Sequence, residues 1–100
     1  ASASGAIAVA LIAARRGETL NQDVAMTATV SPEGRLLEVD ALPAKLDGAA
    51  RSHMRLLLIP KGQARTDEWD LLEQGRQRNI TVIEVGTLEE AYELMVGRRP

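Results

Sequence analysis

The sequence contains no cysteine and one histidine, His53. Disulfides and cysteine-based zinc sites are therefore excluded, and little material is left for any other metal site. Phenylalanine is also absent, and Trp69 and Tyr92 are the only aromatic residues. The core must be assembled from Leu, Ile, Val, Met and many alanines, side chains small enough to let helices approach closely. The longest apolar run, Gly5 to Ala14, is well short of the roughly 20 residues that span a bilayer, and no basic leader precedes it. Neither membrane insertion nor export is expected, so the location expected is cytoplasmic. Charge of one sign is lacking too. The net charge is −2, and the basic residues are interspersed with acids, leaving no electrostatic footprint for a nucleic acid. One hundred residues is the size of one small domain.

What is present is an alternation of helical and extended patterns. Ala3 to Arg16 is expected to be a helix, preceded by a serine, ended by Arg15 and Arg16, and closed by Gly17 in the left-handed position. Its side chains are apolar almost all round, the pattern of a buried helix. With few later elements to cover it, the chain is expected to lack an N-terminal portion or to pack this helix against another chain. Asp23 to Ser31 reads as a strand, Pro32-Glu33-Gly34 as a turn, and Arg35 to Val39 as the returning strand of a hairpin. Leu42 to His53 reads as a second helix with Pro43 in its first turn. Arg55 to Ile59 is a short buried strand ended by Pro60, Thr66 to Gln77 a third helix, and Ile80 to Val85 a further buried strand. The last helix runs from Thr87 to Val96, with a capping box between Thr87 and Glu90. The fold class expected is α/β, a mixed sheet combining a hairpin with a parallel strand–helix–strand–helix unit. Ile7, Leu11, Val24, Met26, Leu46, Leu57, Ile59, Leu72, Val82 and Met95 are the expected core.

No paired carboxylates, phosphate loop, metal-ligand spacing or nucleophile-elbow motif occurs. No cofactor site is expected in this chain. Two features remain. One is a serine, Ser2 or Ser4, at the mouth of the first helix, where a bare N-cap is the ordinary role. The other is Lys45, on the shoulder of the stripe formed by Leu42, Leu46, Ala49 and His53. A lysine there is either a solvated side chain lying along the apolar surface or a partly desolvated amine, and desolvation favours the neutral, proton-accepting form. A neutral amine can take a serine proton.

The run Ala1-Ser2-Ala3-Ser4 followed by Ile7-Ala8-Val9-Ala10 resembles the nucleophile segment of the Lon peptidase family, especially its archaeal branch. Gln22-Asp23-Val24-Ala25-Met26-Thr27 is similar to the family's next signature, and Leu56-Leu57-Leu58-Ile59-Pro60-Lys61 to a third. Lys45 occupies the place of the family's catalytic lysine, near the start of the helix between those two signatures. The resemblance extends over nearly the whole chain and implies a Lon-like proteolytic domain over residues 1–100 that lacks its N-terminal half. It implies a Ser–Lys dyad with Ser2 as nucleophile and Lys45 as base, and Thr27 helping to hold the lysine; Ser4, one half-turn away, is the alternative nucleophile. It further implies an unfolded protein or peptide substrate, a hexameric homo-oligomer, and ATP hydrolysed by a separate ATPase module. The chain departs from the family pattern at Ala1, at Ala28 and Thr29, and at Asp40 and Ala41, where paired glycines usually precede the lysine helix. A non-catalytic Lon-like module used for assembly or binding is the other reading. His53 as a triad base is disfavoured, because the resemblance gives that role to lysine.

Overall fold

The computed structural model describes residues 3–97. A run of two residues, Ala3–Ser4 (β1), leads directly into the helix Gly5–Arg16 (α1). Ser4, with extended backbone angles, accepts a hydrogen bond from the Ile7 N–H and caps the helix. Gly17 ends it with φ 66° and donates to the carbonyls of Ala13 and Ala14.

The expected single strand Asp23–Ser31 is two strands in two sheets. Val24–Met26 (β2) belongs to a parallel sheet, whereas Thr29–Val30 (β3) pairs antiparallel with both β1 and Leu36–Leu37 (β4). The division falls between Thr27 and Ala28. The Thr27 N–H still donates to the Leu58 carbonyl at 3.0 Å, but the Ala28 carbonyl turns to accept from the Gly5 N–H at 2.8 Å. This close approach depends on a glycine, since a Cβ at Gly5 would stand 2.9 Å from the Met26 methyl and 3.2 Å from the Ala28 oxygen.

The second helix covers Leu42–Arg51 (α2), followed by Leu56–Pro60 (β5), Leu71–Gln77 (α3), Thr81–Val85 (β6) and Leu88–Met95 (α4). The parallel sheet has the order β2-β5-β6, with Leu56 opposite both Val24 and Thr81. This is the expected parallel unit, joined by β2 along its other edge. The expected helix from Thr66 begins five residues late. The Thr66 hydroxyl accepts from the N–H groups of Glu68 and Trp69 in a local turn, and Asp70 provides the actual N-cap through the Glu73 N–H. Thr87 and Glu90 form the capping box read from the sequence.

Every residue of β5 is buried because helices cover both faces of the sheet. Leu56 and Leu58 face a cluster that includes Val9 and Ala13 of α1 and Tyr92 and Met95 of α4. Leu57 and Ile59 face Leu42 and Leu46 of α2 and Leu71 of α3. Of the ten expected core residues, Ile7 is 61% exposed, Leu11 63% and Leu72 43%. The correction has a geometric cause. On α1 the buried positions are Gly5, Val9 and Ala13, spaced by four, and Ile7 and Leu11 lie on the opposite side. On α3 the buried face is Leu71 and Gly75, and Leu72 lies a third of a turn away. Among the described residues, no helix is long and apolar enough to cross a membrane.

Candidate active site

Ser2 lies outside the described residues. The chain beside it is fixed, since Ala3 and Ser4 stand opposite Val30 and Thr29 on β3. The start of α1 is thereby tied to the segment immediately following Thr27. Ser4, the alternative nucleophile, has its Oγ engaged with the Ile7 N–H.

Lys45 is on the second turn of α2, where its main-chain N–H donates to the Ala41 carbonyl at 3.1 Å. It is exposed, on the turn between the buried residues Leu42 and Leu46. Thr27, half-buried at the end of β2, shares with Lys45 a cleft of about 280 Å³ whose walls include Ala25, Ser52, Met54 and Leu57. Both residues line the cleft, with no hydrogen bond between their side chains. Ser52 was not singled out by the sequence. The signal was available, because Lys45, Ala49 and Ser52 recur at the four-and-three spacing of one helical face.

The helix that carries Lys45 begins unusually. Ala41 precedes it with φ 59° and ψ 37°, a left-handed conformation that a Cβ disfavours, and it supplies no side-chain cap. This is one of the two positions where the family pattern has glycine. His53 is exposed, at φ 61° beyond the helix end, and is not part of the cleft wall; its expected place on the apolar stripe is lost because α2 stops at Arg51.

The groups whose titration the fold displaces are Glu90, Asp23 and Tyr92, none of which lines this cleft. The Gly86 and Thr87 N–H groups hold the Glu90 carboxyl below the usual glutamate range. The Arg55 guanidinium, hydrogen-bonded at 2.8 Å, does the same for Asp23. Burial pushes the Tyr92 phenol up, and the Glu18 carboxylate that accepts its hydrogen bond adds to the effect. A larger surface cleft of about 760 Å³ lies between the Gly17–Gln22 loop and Val96. It has no lysine, histidine or serine in its wall, and size alone gives it no chemistry. Among the described residues there is no cluster of three His, Cys, Asp or Glu side chains able to hold a metal.

Residues 1–97 match the model of the Lon protease (S16) C-terminal proteolytic domain. The chain is 33% identical over 99 residues to the Lon protease of Chloroflexus aggregans, covering 99% of this chain and 12% of that protein. It is 35% identical over 94 residues to the archaeal Lon protease of Archaeoglobus fulgidus, covering 92% of this chain and 14% of that protein. With the Lon protease of Haemophilus influenzae the identity is 32% over 99 residues, again 99% of this chain and 12% of that protein. The chain thus spans a small fraction of the length of these relatives.

Proposed function

This chain belongs to the Lon protease (S16) C-terminal proteolytic domain family, and we propose that it carries the catalytic pair of a serine endopeptidase, Ser2 as nucleophile and Lys45 as general base. The observation that supports this most is the shared cleft of Thr27 and Lys45, next to the junction where Ala28 holds the start of α1. On this reading the Ser2 Oγ attacks the peptide carbonyl carbon while its proton passes to the neutral Lys45 amine. Lys45 returns that proton to the departing amine, leaving an acyl-serine, then takes a proton from the water that attacks the ester and passes it to the Ser2 Oγ as the acid product leaves. The N–H groups of Gly5 and Ile7 are engaged by Ala28 and Ser4, so oxyanion stabilisation falls to main-chain N–H groups other than these two. Thr27 orients the lysine from the cleft wall. Because Lys45 is exposed, the desolvation that favours its neutral form comes from whatever closes the open side of the cleft, a bound peptide included.

The wider reading is that an unfolded protein or peptide is the substrate, that ATP is hydrolysed by a separate module of a cytoplasmic protein, and that the assembly is a homo-oligomer. The exposed Ile7 and Leu11, one turn apart on the outer face of α1, favour burial of that face against another surface. The second reading is a non-catalytic Lon-like module, favoured by the left-handed Ala41 where the family pattern has glycine. Labelling of the parent protein with a serine-reactive fluorophosphonate separates the two. Catalysis predicts labelling and peptide turnover that disappear in Ser2→Ala and fall by roughly a thousandfold or more in Lys45→Arg, since a guanidinium stays protonated. Turnover persisting in Lys45→Ala ends the dyad reading, and an unlabelled parent protein supports the non-catalytic module.

A further inference from the structure

Gln63 is the one buried polar side chain among the described residues, at 7% exposure. Its amide oxygen accepts from the Val39 N–H at 3.0 Å, and its amide nitrogen donates to the Val39 carbonyl at 2.9 Å. A side chain thus takes both main-chain bonds of one residue, as a neighbouring strand would, just beyond the point where β4 ends. The platform behind Gln63 is equally fixed. Its own N–H donates to the Pro60 carbonyl, its carbonyl accepts from the Trp69 indole at 2.6 Å, and the next N–H, of Ala64, is held by Glu84 at 2.9 Å. Gln63 therefore projects from a hydrogen-bonded turn that immediately follows β5, the central strand of the parallel sheet.

Val39 is two residues from Ala41, whose left-handed backbone turns the chain into α2 and whose carbonyl receives the Lys45 N–H. A left-handed alanine has no preference of its own for that conformation and persists only where its surroundings impose it. With Val39 clamped on one side and Leu42 and Leu46 buried on the other, the direction and rotational phase of the first turns of α2 are set.

We propose that Gln63 is a positioning residue for Lys45: by clamping Val39 to the end of the central strand it fixes the rotation of α2 that delivers the lysine to the Thr27 cleft. The inference rests on the reading of Lys45 as base. In the parent protein, Gln63→Met keeps the side-chain volume and removes both bonds to Val39. Gln63→Asn keeps an amide on a shorter stem. Expected for Gln63→Met is a kcat about tenfold lower with KM within about twofold, because a misplaced base costs rate more than substrate binding. The pH midpoint of kcat is expected to move as well, and Gln63→Asn to recover part of both effects. Should Gln63→Met fail to fold, Gln63→Asn measured against the parent protein carries the same two readouts. A lowered melting temperature with kcat and its pH midpoint unchanged overturns the proposal and leaves Gln63 a plain structural clamp. Lys45→Ala, assayed alongside, separates the two failures. If it is inactive while the Gln63 variants behave as the parent protein, only the positioning role falls; if it turns over substrate, the dyad reading falls and the positioning role with it.

Discussion

The two helices of the proposed dyad are built in opposite ways. The helix behind Ser2, α1, is apolar around its whole circumference yet buries only Gly5, Val9 and Ala13, its smaller side chains, while Ile7 and Leu11 face outward. The helix of Lys45, α2, is amphipathic and buries its large side chains, Leu42 and Leu46, completely. Its entry is less relaxed, with a left-handed alanine and no side-chain cap, whereas α1 has a serine cap and a glycine exit. The contrast teaches that α2 is finished by its own chain and constrained at its start, while α1 is relaxed in its backbone and unfinished on its outer face.

The largest test of that contrast is in packing. Leu46→Ala is expected to cost about 2–5 kcal/mol, as for other fully buried leucines, and Leu11→Ala about 0.5 kcal/mol or less in this chain alone. Chemical denaturation measures both, and equal losses would break the comparison by showing that the outer face of α1 is covered. Next is the entry of α2. Ala41→Gly is expected to raise stability by about 0.5–1 kcal/mol through relief of the left-handed alanine. A loss on the same denaturation curve would show that Ala41 is not held at positive φ.

The smallest effect concerns acid. Neither α1 nor α2 has an acidic residue in its first turn, but α4, which packs against α1, is capped by Glu90. The Glu90 carboxyl titrates below its ordinary range in the folded chain. Its contribution is therefore full above the ordinary glutamate value and is lost as pH falls through the lower folded value. Amide exchange in α4 and α1 should accelerate in that window before exchange in α2 does, and Glu90→Gln should remove the difference. Simultaneous loss in all three helices would contradict it.

What the sequence showed and what it hid follow from the range of the forces involved. The Thr87–Glu90 capping box and the glycine exit of α1 are local patterns and are present as read, and the buried stripe of α2 is present for Leu42, Leu46 and Ala49 but not for His53. The face of α1 was not legible, because a helix apolar all round has no amphipathic direction and the choice belongs to the sheet it meets. The division of Asp23–Ser31 was hidden for a similar reason: it depends on Gly5 and Leu58, distant in sequence, competing for neighbouring main-chain groups. The start of α3 differs because Thr66 and Asp70 can each accept from downstream main-chain N–H groups, and the local sequence does not choose between them. At the site, Thr27, Lys45 and Ser52 line a common cleft, Ser52 without being a candidate in the sequence, and Ser2 lies beyond the described residues. Gln63 gave no signal, since its partner is main chain and any residue could stand at Val39.

The parallel order β2-β5-β6 also sets which stretches of chain each pairing must enclose. Pairing Leu56 with Thr81 closes a loop whose middle forms α3, so that partnership can nucleate around a local helix. Pairing Val24 with Leu56 instead encloses the hairpin and α2. Closing such loops before their contacts reward the closure is what slows parallel sheets. β2 is an edge strand, held to the sheet by β5 alone, and Thr27 follows its last residue. A local opening of β2 would therefore loosen the wall of the Thr27–Lys45 cleft while the β5–β6 pairing stayed intact.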